Sequence, residues 1–202
     1  KLCIHIAHCS QIFNIISLEQ MEMSRLKLSK TLFNLEEQLK FDNLESKPPI
    51  HDWTPRLCGN IDILIKKDGS WWHEGEKINR KPLVKLFASI LRKESDGDYY
   101  LVTPQEKWRI SVELLPLVVI ALETNKSPDY PCLNVTLNTE EVVPINNKYK
   151  IEPENKAEGV ARVTLWNGLS ALFNRPSWYD LVNLCNSDFL VESRGEQFKL
   201  LA

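Results

Sequence analysis

One pattern in this chain occurs twice. Ile78-Asn79-Arg80, followed by Leu83-Val84 and Leu86-Phe87, is matched without a gap by Phe173-Asn174-Arg175, followed by Trp178-Tyr179 and Leu181-Val182. The flanks correspond too: Trp72 leads into the first copy as Trp166 leads into the second, and Leu101-Val102 follows as Leu190-Val191 follows. Self-similarity of this kind marks a supersecondary unit used more than once, here hairpin, helix, hairpin. The expected fold class is therefore α+β, two lobes built from a duplicated hairpin–helix–hairpin motif. The first lobe spans 48–123 and the second 132–202, and an N-terminal extension, 1–47, precedes them.

Local patterns supply the elements. Ile61, Ile63 and Ile65 alternate with Asp62, Leu64 and Lys66, the period of a half-buried strand. Asp68-Gly69 is a strong short-range hairpin signal, so strands are expected at 60–66 and 70–74. Leu83, Leu86, Phe87, Ile90 and Leu91 make one apolar stripe at helical spacing, which predicts a helix over 80–93 with Asn79 as its cap and Pro82 in its first turn. Strands at 99–103, 107–113 and 117–122 follow, then a proline-containing linker at 124–131. In the second half, strands are expected at 132–137, 148–151 and 160–165, a helix at 176–186, and a closing hairpin of 188–192 with 196–201.

Residues 1–20 lack an initiator Met and the small-residue cleavage site of a secretory signal. They read as a truncated upstream piece or translated leader, with a native start at Met21 or Met23, a weak signal peptide being the lesser alternative. Leu28, Leu32, Leu35 and Leu39 then predict an amphipathic helix over 29–41.

Charge and cysteine usage exclude several classes. The 202 residues carry 25 Lys+Arg against 27 Asp+Glu, without the basic lobe of a nucleic-acid binder. No apolar run approaches the roughly 18 residues of a membrane span. The five cysteines, Cys3, Cys9, Cys58, Cys132 and Cys185, are scattered and odd in number, which fits neither a disulfide framework nor a zinc knuckle. The expected setting is a reducing cytoplasm, with no nucleic-acid or membrane partner.

The most informative local anomaly is electrostatic. Lys77, Arg80, Lys81, Lys85, Arg92 and Lys93 fall in one stretch that contains no acid. Cations at a helix start oppose the macrodipole, and an anion placed there resolves the conflict. Backbone N–H groups with Arg80, whose fork takes carboxylate or phosphate in two places, suit such an anion, and Arg175 repeats the arrangement. The alternative is structural: Arg80 and Arg175 pair with Asp62, Glu76 or Glu106 and pin hairpin to helix. Lys85, Arg92 and Lys93 read as the solvated face of the helix.

Catalytic patterns are weak. His51 and His73 have no nucleophile motif beside them, His73-Glu74-Gly75-Glu76 lacks a completing metal ligand, and no glycine spacing matches a phosphate-cradling loop. No cofactor is expected. Cys58, Cys132 and Cys185 read as small buried hydrophobes. Trp71 and Trp72 face opposite sides of a strand.

Several strings resemble the bacterial family known as domain of unknown function 1285. They are Pro48-Pro49-Ile50-His51-Asp52-Trp53-Thr54-Pro55, Cys58-Gly59-Asn60-Ile61-Asp62, Asp68-Gly69-Ser70-Trp71, Ile78-Asn79-Arg80, Leu86-Phe87-Ala88-Ser89-Ile90-Leu91-Arg92 and Leu101-Val102-Thr103-Pro104-Gln105-Glu106-Lys107. The resemblance covers residues 48–200 and is looser in the second half, through Arg162, Gly168-Leu169, Ala171-Leu172, Arg175, Tyr179-Asp180-Leu181 and Gly195. It implies a two-lobed α+β fold, a second lobe superficially like a pleckstrin-homology barrel, and a site for a small nucleotide-like signalling ligand between the lobes. The chain departs from the family pattern at Leu114-Leu115-Pro116-Leu117, where Asp-Ala-Pro-Phe is usual. It departs again at Glu140-Glu141, where Gly-Asp is usual, and at Glu192, in place of a Trp.

The expected function is that of a small-ligand-binding or sensor protein, its interlobe cleft lined by Arg80, Lys81, Thr103, Glu106 and Arg175, with Trp53 available for stacking. A protein-interaction adaptor that uses sheet edges or an exposed Trp is the alternative, and an enzyme with Glu106 or His73 as general base comes third.

Overall fold

The structure, a computed structural model, describes residues 48–126, 131–155 and 160–201. The expected extension 1–47, with its helix at 29–41 and its segment 1–20, lies outside the described residues. From Pro48 onward the chain folds as one compact unit, built on two six-stranded sheets.

The first sheet contains β1 (Leu57–Ile65), β2 (Trp71–His73), β3 (Glu76–Lys77), β4 (Leu91–Lys93), β5 (Tyr99–Val102) and β6 (Lys107–Val112), in the spatial order β3-β2-β1-β6-β5-β4. β1 and β6 run parallel and every other pair is antiparallel. One helix, α1 (Lys81–Ser89), follows β3. Alternation along the strands puts Ile63, Ile65, Trp71, Leu101 and Ile110 on the side that is sealed, all nearly inaccessible. The α1 side chain Phe87 packs there against Trp71, ring centroids 5.8 Å apart. Burying a side chain of that size contributes about 2–3 kcal/mol. The other side presents Trp72, half-buried beneath the Lys66 ammonium at 3.5 Å.

The second sheet contains β7 (Leu117–Lys126), β8 (Pro131–Leu137), β9 (Val142–Pro144), β10 (Ile151–Pro153), β11 (Ala161–Thr164) and β12 (Ser170–Phe173), in the order β10-β11-β12-β7-β8-β9. Here β7 and β12 are the parallel pair. The 3₁₀ turn Trp166–Gly168 joins β11 to β12, and α2 (Arg175–Leu184) follows β12. A hairpin of β13 (Leu190–Ser193) and β14 (Glu196–Lys199) is fastened to this sheet. The fully buried Ser193 hydroxyl accepts from Leu133 N and donates to Ile145 O, and Arg194 N donates to Pro131 O. Among the described residues no helix is long and apolar enough to cross a membrane.

Outward from the parallel pair, the two sheets share one strand order. The helices enter at unlike places, however: α1 after the third strand of its sheet, α2 after the sixth strand of its own. Two expected boundaries also differ. The helix predicted over 80–93 ends at Ser89, because Leu91, Arg92 and Lys93 pair with Leu101, Tyr100 and Tyr99 as an edge strand. Residues 117–123, grouped by sequence with the first lobe, pair in the second sheet, and of the expected linker at 124–131 the described residues are strand, Asn125 pairing with Cys132 and Lys126 with Pro131. Strands β3, β9 and β12, absent from the expected elements, are two to four residues long, too short to carry a readable period. Cys58, expected to be buried, is exposed at the start of β1, while Cys132 and Cys185 are half-buried.

The sheets meet at the end of β1 that carries the Asp68-Gly69 turn. Asn138 N donates to Val118 O, the Asn138 Oδ1 accepts from Val118 N, and its Nδ2 donates to Gly69 O at 3.1 Å. A Cβ on Gly69 would lie 2.6 Å from Asn138 Nδ2 and 2.8 Å from Val118 Cγ2, at φ +76°. Further along the seam Gly168 backs onto the Lys93 carbonyl. Burial, aided by the charge of Glu154, pushes the Tyr99 phenol above the ordinary range.

Gly69→Ala is expected to lower the unfolding free energy by about 2–3 kcal/mol, the sum of backbone strain and overpacking. Gly97 has a similar φ of +88° and nothing within 4 Å of an added Cβ, so Gly97→Ala is expected to lose only about 1 kcal/mol. Urea titration of both variants checks this, and equal losses would remove the seam from the account.

Candidate functional site

The start of α1 carries the charge conflict seen in the sequence. Its N-cap is Arg80, whose side chain makes no capping bond, and its first turn contains no acid. Asn79, the expected cap, is exposed one residue outside the helix. The carboxylate that answers these cations comes from the other sheet. Glu140, in the turn between β8 and β9, accepts from Lys81 Nζ at 3.1 Å and from Lys85 Nζ at 2.5 Å. Lys81 and Lys85 are four apart, so they project from one face of α1. Hydrogen bonds from Lys85 and Lys81 hold the Glu140 carboxyl below the usual carboxylate range. All three side chains are substantially wet, so the cluster adds little stability.

α2 begins differently. Asn174 caps it, accepting from Ser177 N at 2.9 Å, and the buried Ser177 hydroxyl donates to Val119 O. Arg175 is exposed, its guanidinium 5.9 Å from the Tyr179 ring centroid. Val119 is also the strand partner of Leu137 and of Phe173. The turn that carries Glu140 and the start of α2 thus flank the same stretch of β7, the stretch that closes on Gly69.

Thr103 and Glu106 lie elsewhere. They form the turn between β5 and β6, beside Leu57, whereas Arg80 lies at the Gly69 end of the same sheet. The nine residues of α1 run between those ends, a span of about 13 Å. The Thr103 hydroxyl is consumed by its own turn, accepting from Glu106 N at 3.0 Å, and Glu106 accepts from Trp108 Nε1 at 3.2 Å. His73 donates through Nδ1 to Asp62 O at 2.7 Å. Among the described residues no three His, Cys, Asp or Glu side chains gather as a metal ion would require. The structure therefore brings Arg80, Lys81 and Lys85 to the seam, sets Arg175 across β7, and leaves Thr103, Glu106 and Trp53 away from them.

Trp53 belongs to a cluster that sequence reading missed. Arg92, expected on the solvated face of a helix, is a mostly buried residue of β4. It donates through Nη1 to Ile50 O at 2.7 Å and Trp53 O at 2.9 Å, and through Nη2 to Glu94 at 2.6 Å. Lys107 completes the pairing with Glu94 at 2.9 Å. Beside them Tyr100 donates to Asp96 at 2.6 Å and accepts from Arg109 at 3.3 Å. The register of β4 on β5, which the sequence pattern does not give, puts Arg92 opposite Tyr100. Burial alone would raise the Glu94 carboxyl, but hydrogen bonds from Lys107 and Arg92 outweigh it and hold the group below its ordinary range.

Glu94→Gln is expected to cost roughly 2 kcal/mol at neutral pH, less than the ~3–5 kcal/mol of a fully buried pair, because its side chain is 23% exposed. A depressed folded-state value means this stability is present above the ordinary Glu value of about 4.3 and is lost as pH falls below it. Unfolding titrations at about pH 7 and about pH 3 should show the gap between wild type and variant closing in acid. A gap that persists in acid contradicts the assignment. Separately, Asn174→Ala is expected to lose about 1 kcal/mol, while Asn79→Ala stays within about 0.5 kcal/mol of wild type, since only the first removes a cap.

Comparison with known proteins gives one consistent result. Residues 48–114 match the N-terminal domain of the domain of unknown function DUF1285, and residues 116–200 match the C-terminal domain of the same family. The crystal structure of a DUF1285 family protein from Silicibacter pomeroyi aligns with a TM-score of 0.71 and 30% identity, covering 83% of this chain and 94% of that one. A DUF1285 family protein from Shewanella baltica aligns with a TM-score of 0.51 and 28% identity, over 62% of this chain and 94% of that one. No curated protein matches. Glu140 has a φ of 67°, in the region that favours glycine.

Proposed function

Because the chain belongs to the DUF1285 family, whose description names no activity, we propose from its geometry that it is a small-ligand-binding sensor module. It takes an anionic, nucleotide-like molecule at the seam between its two lobes. The observation that carries this reading is the Lys81–Lys85–Glu140 cluster: an uncapped helix start, rich in cations, whose negative partner is borrowed from the opposite sheet. A phosphate or carboxylate of a ligand would take the place of Glu140, with Arg80 beside it and Arg175 on the far side of β7. The reading treats the shared strand order of the two sheets as a duplicated plan and the second lobe as pleckstrin-homology-like in outline, its β8–β9 turn supplying the displaceable carboxylate. Thr103, Glu106 and Trp53 enter only for a ligand long enough to extend along the first sheet.

A second reading, a protein-interaction adaptor in a cytoplasmic setting, is favoured by the exposed apolar side chains Tyr179 and Leu184 of α2 and Phe189 after it.

A thermal-shift screen with nucleotides, phosphorylated metabolites and inorganic pyrophosphate tests the first reading. A binder at 100 times its dissociation constant adds about 2.7 kcal/mol of stability. Lys81→Ala with Lys85→Ala is expected to abolish the shift. Glu140→Gln is expected to tighten binding roughly tenfold, since it removes a tethered competitor. If no compound raises the melting temperature of the wild type or of Glu140→Gln, the sensor reading fails and the adaptor reading gains.

A further inference from the structure

We draw no further inference here: the strongest candidate, the Arg92–Glu94–Lys107 side-chain cluster that fastens residues 50–53 to the edge of the first sheet, has its charges met by one another and by backbone carbonyls, so it belongs to the packing already described and carries no ligand chemistry beyond it.

Discussion

The contact on which the two halves of this protein depend is between one side-chain amide and one peptide group. Asn138 saturates Val118 with its Oδ1 and backbone N–H, and turns its Nδ2 to the carbonyl of Gly69. The Asp68-Gly69 turn is a common way to end a hairpin, but here its glycine also lets two sheets approach until no Cβ fits between them. The relative placement of α1 and the β8–β9 turn follows from that closure. Lys81 and Lys85 meet Glu140 because the turn that holds Glu140 begins at Asn138.

Charge is handled in two ways in the molecule, and burial separates them. The Arg92–Glu94–Lys107 group is largely dehydrated, its side chains 16%, 23% and 17% exposed, so removing one member leaves the others desolvated and unmatched. The Lys81–Lys85–Glu140 group is wet, contributes little to folding, and joins parts of the chain 55 or more residues apart. An ion group that is cheap to break suits a place where an incoming anion replaces the chain's own carboxylate. The same charges packed like Arg92 would suit a brace.

The cation run shows how far sequence reading reached toward the site. That Arg80 and Lys81, at the helix start, call for an anion follows from the macrodipole and from the lack of acids nearby, whereas Lys85 reads from sequence as solvated face. Which anion answers them does not follow, because Glu140 is remote in the chain and sits in a turn. Glu140-Glu141 carries no local pattern that ties it to α1. Arg92 failed in the opposite direction: an apolar stripe that runs on through Ile90 and Leu91 looks helical, yet those residues are buried equally well after the helix stops, one at its end and one in an edge strand.

Periodicity and turn chemistry act over a few residues, so the chain alone dictates the β1–β2 hairpin, α1, α2 and the closing hairpin to within a few positions. It also dictates which side of the first sheet is apolar, since alternation along β1 leaves no choice. The pairing of β1 with β6 and of β7 with β12 spans dozens of residues, and no local pattern encodes partners that distant. The membership of β7 in the second sheet, the burial of Arg92 and the meeting of Glu140 with α1 all descend from those long-range pairings. They arise only once both sheets have closed and the loss of water at the seam has fixed which polar groups must find each other.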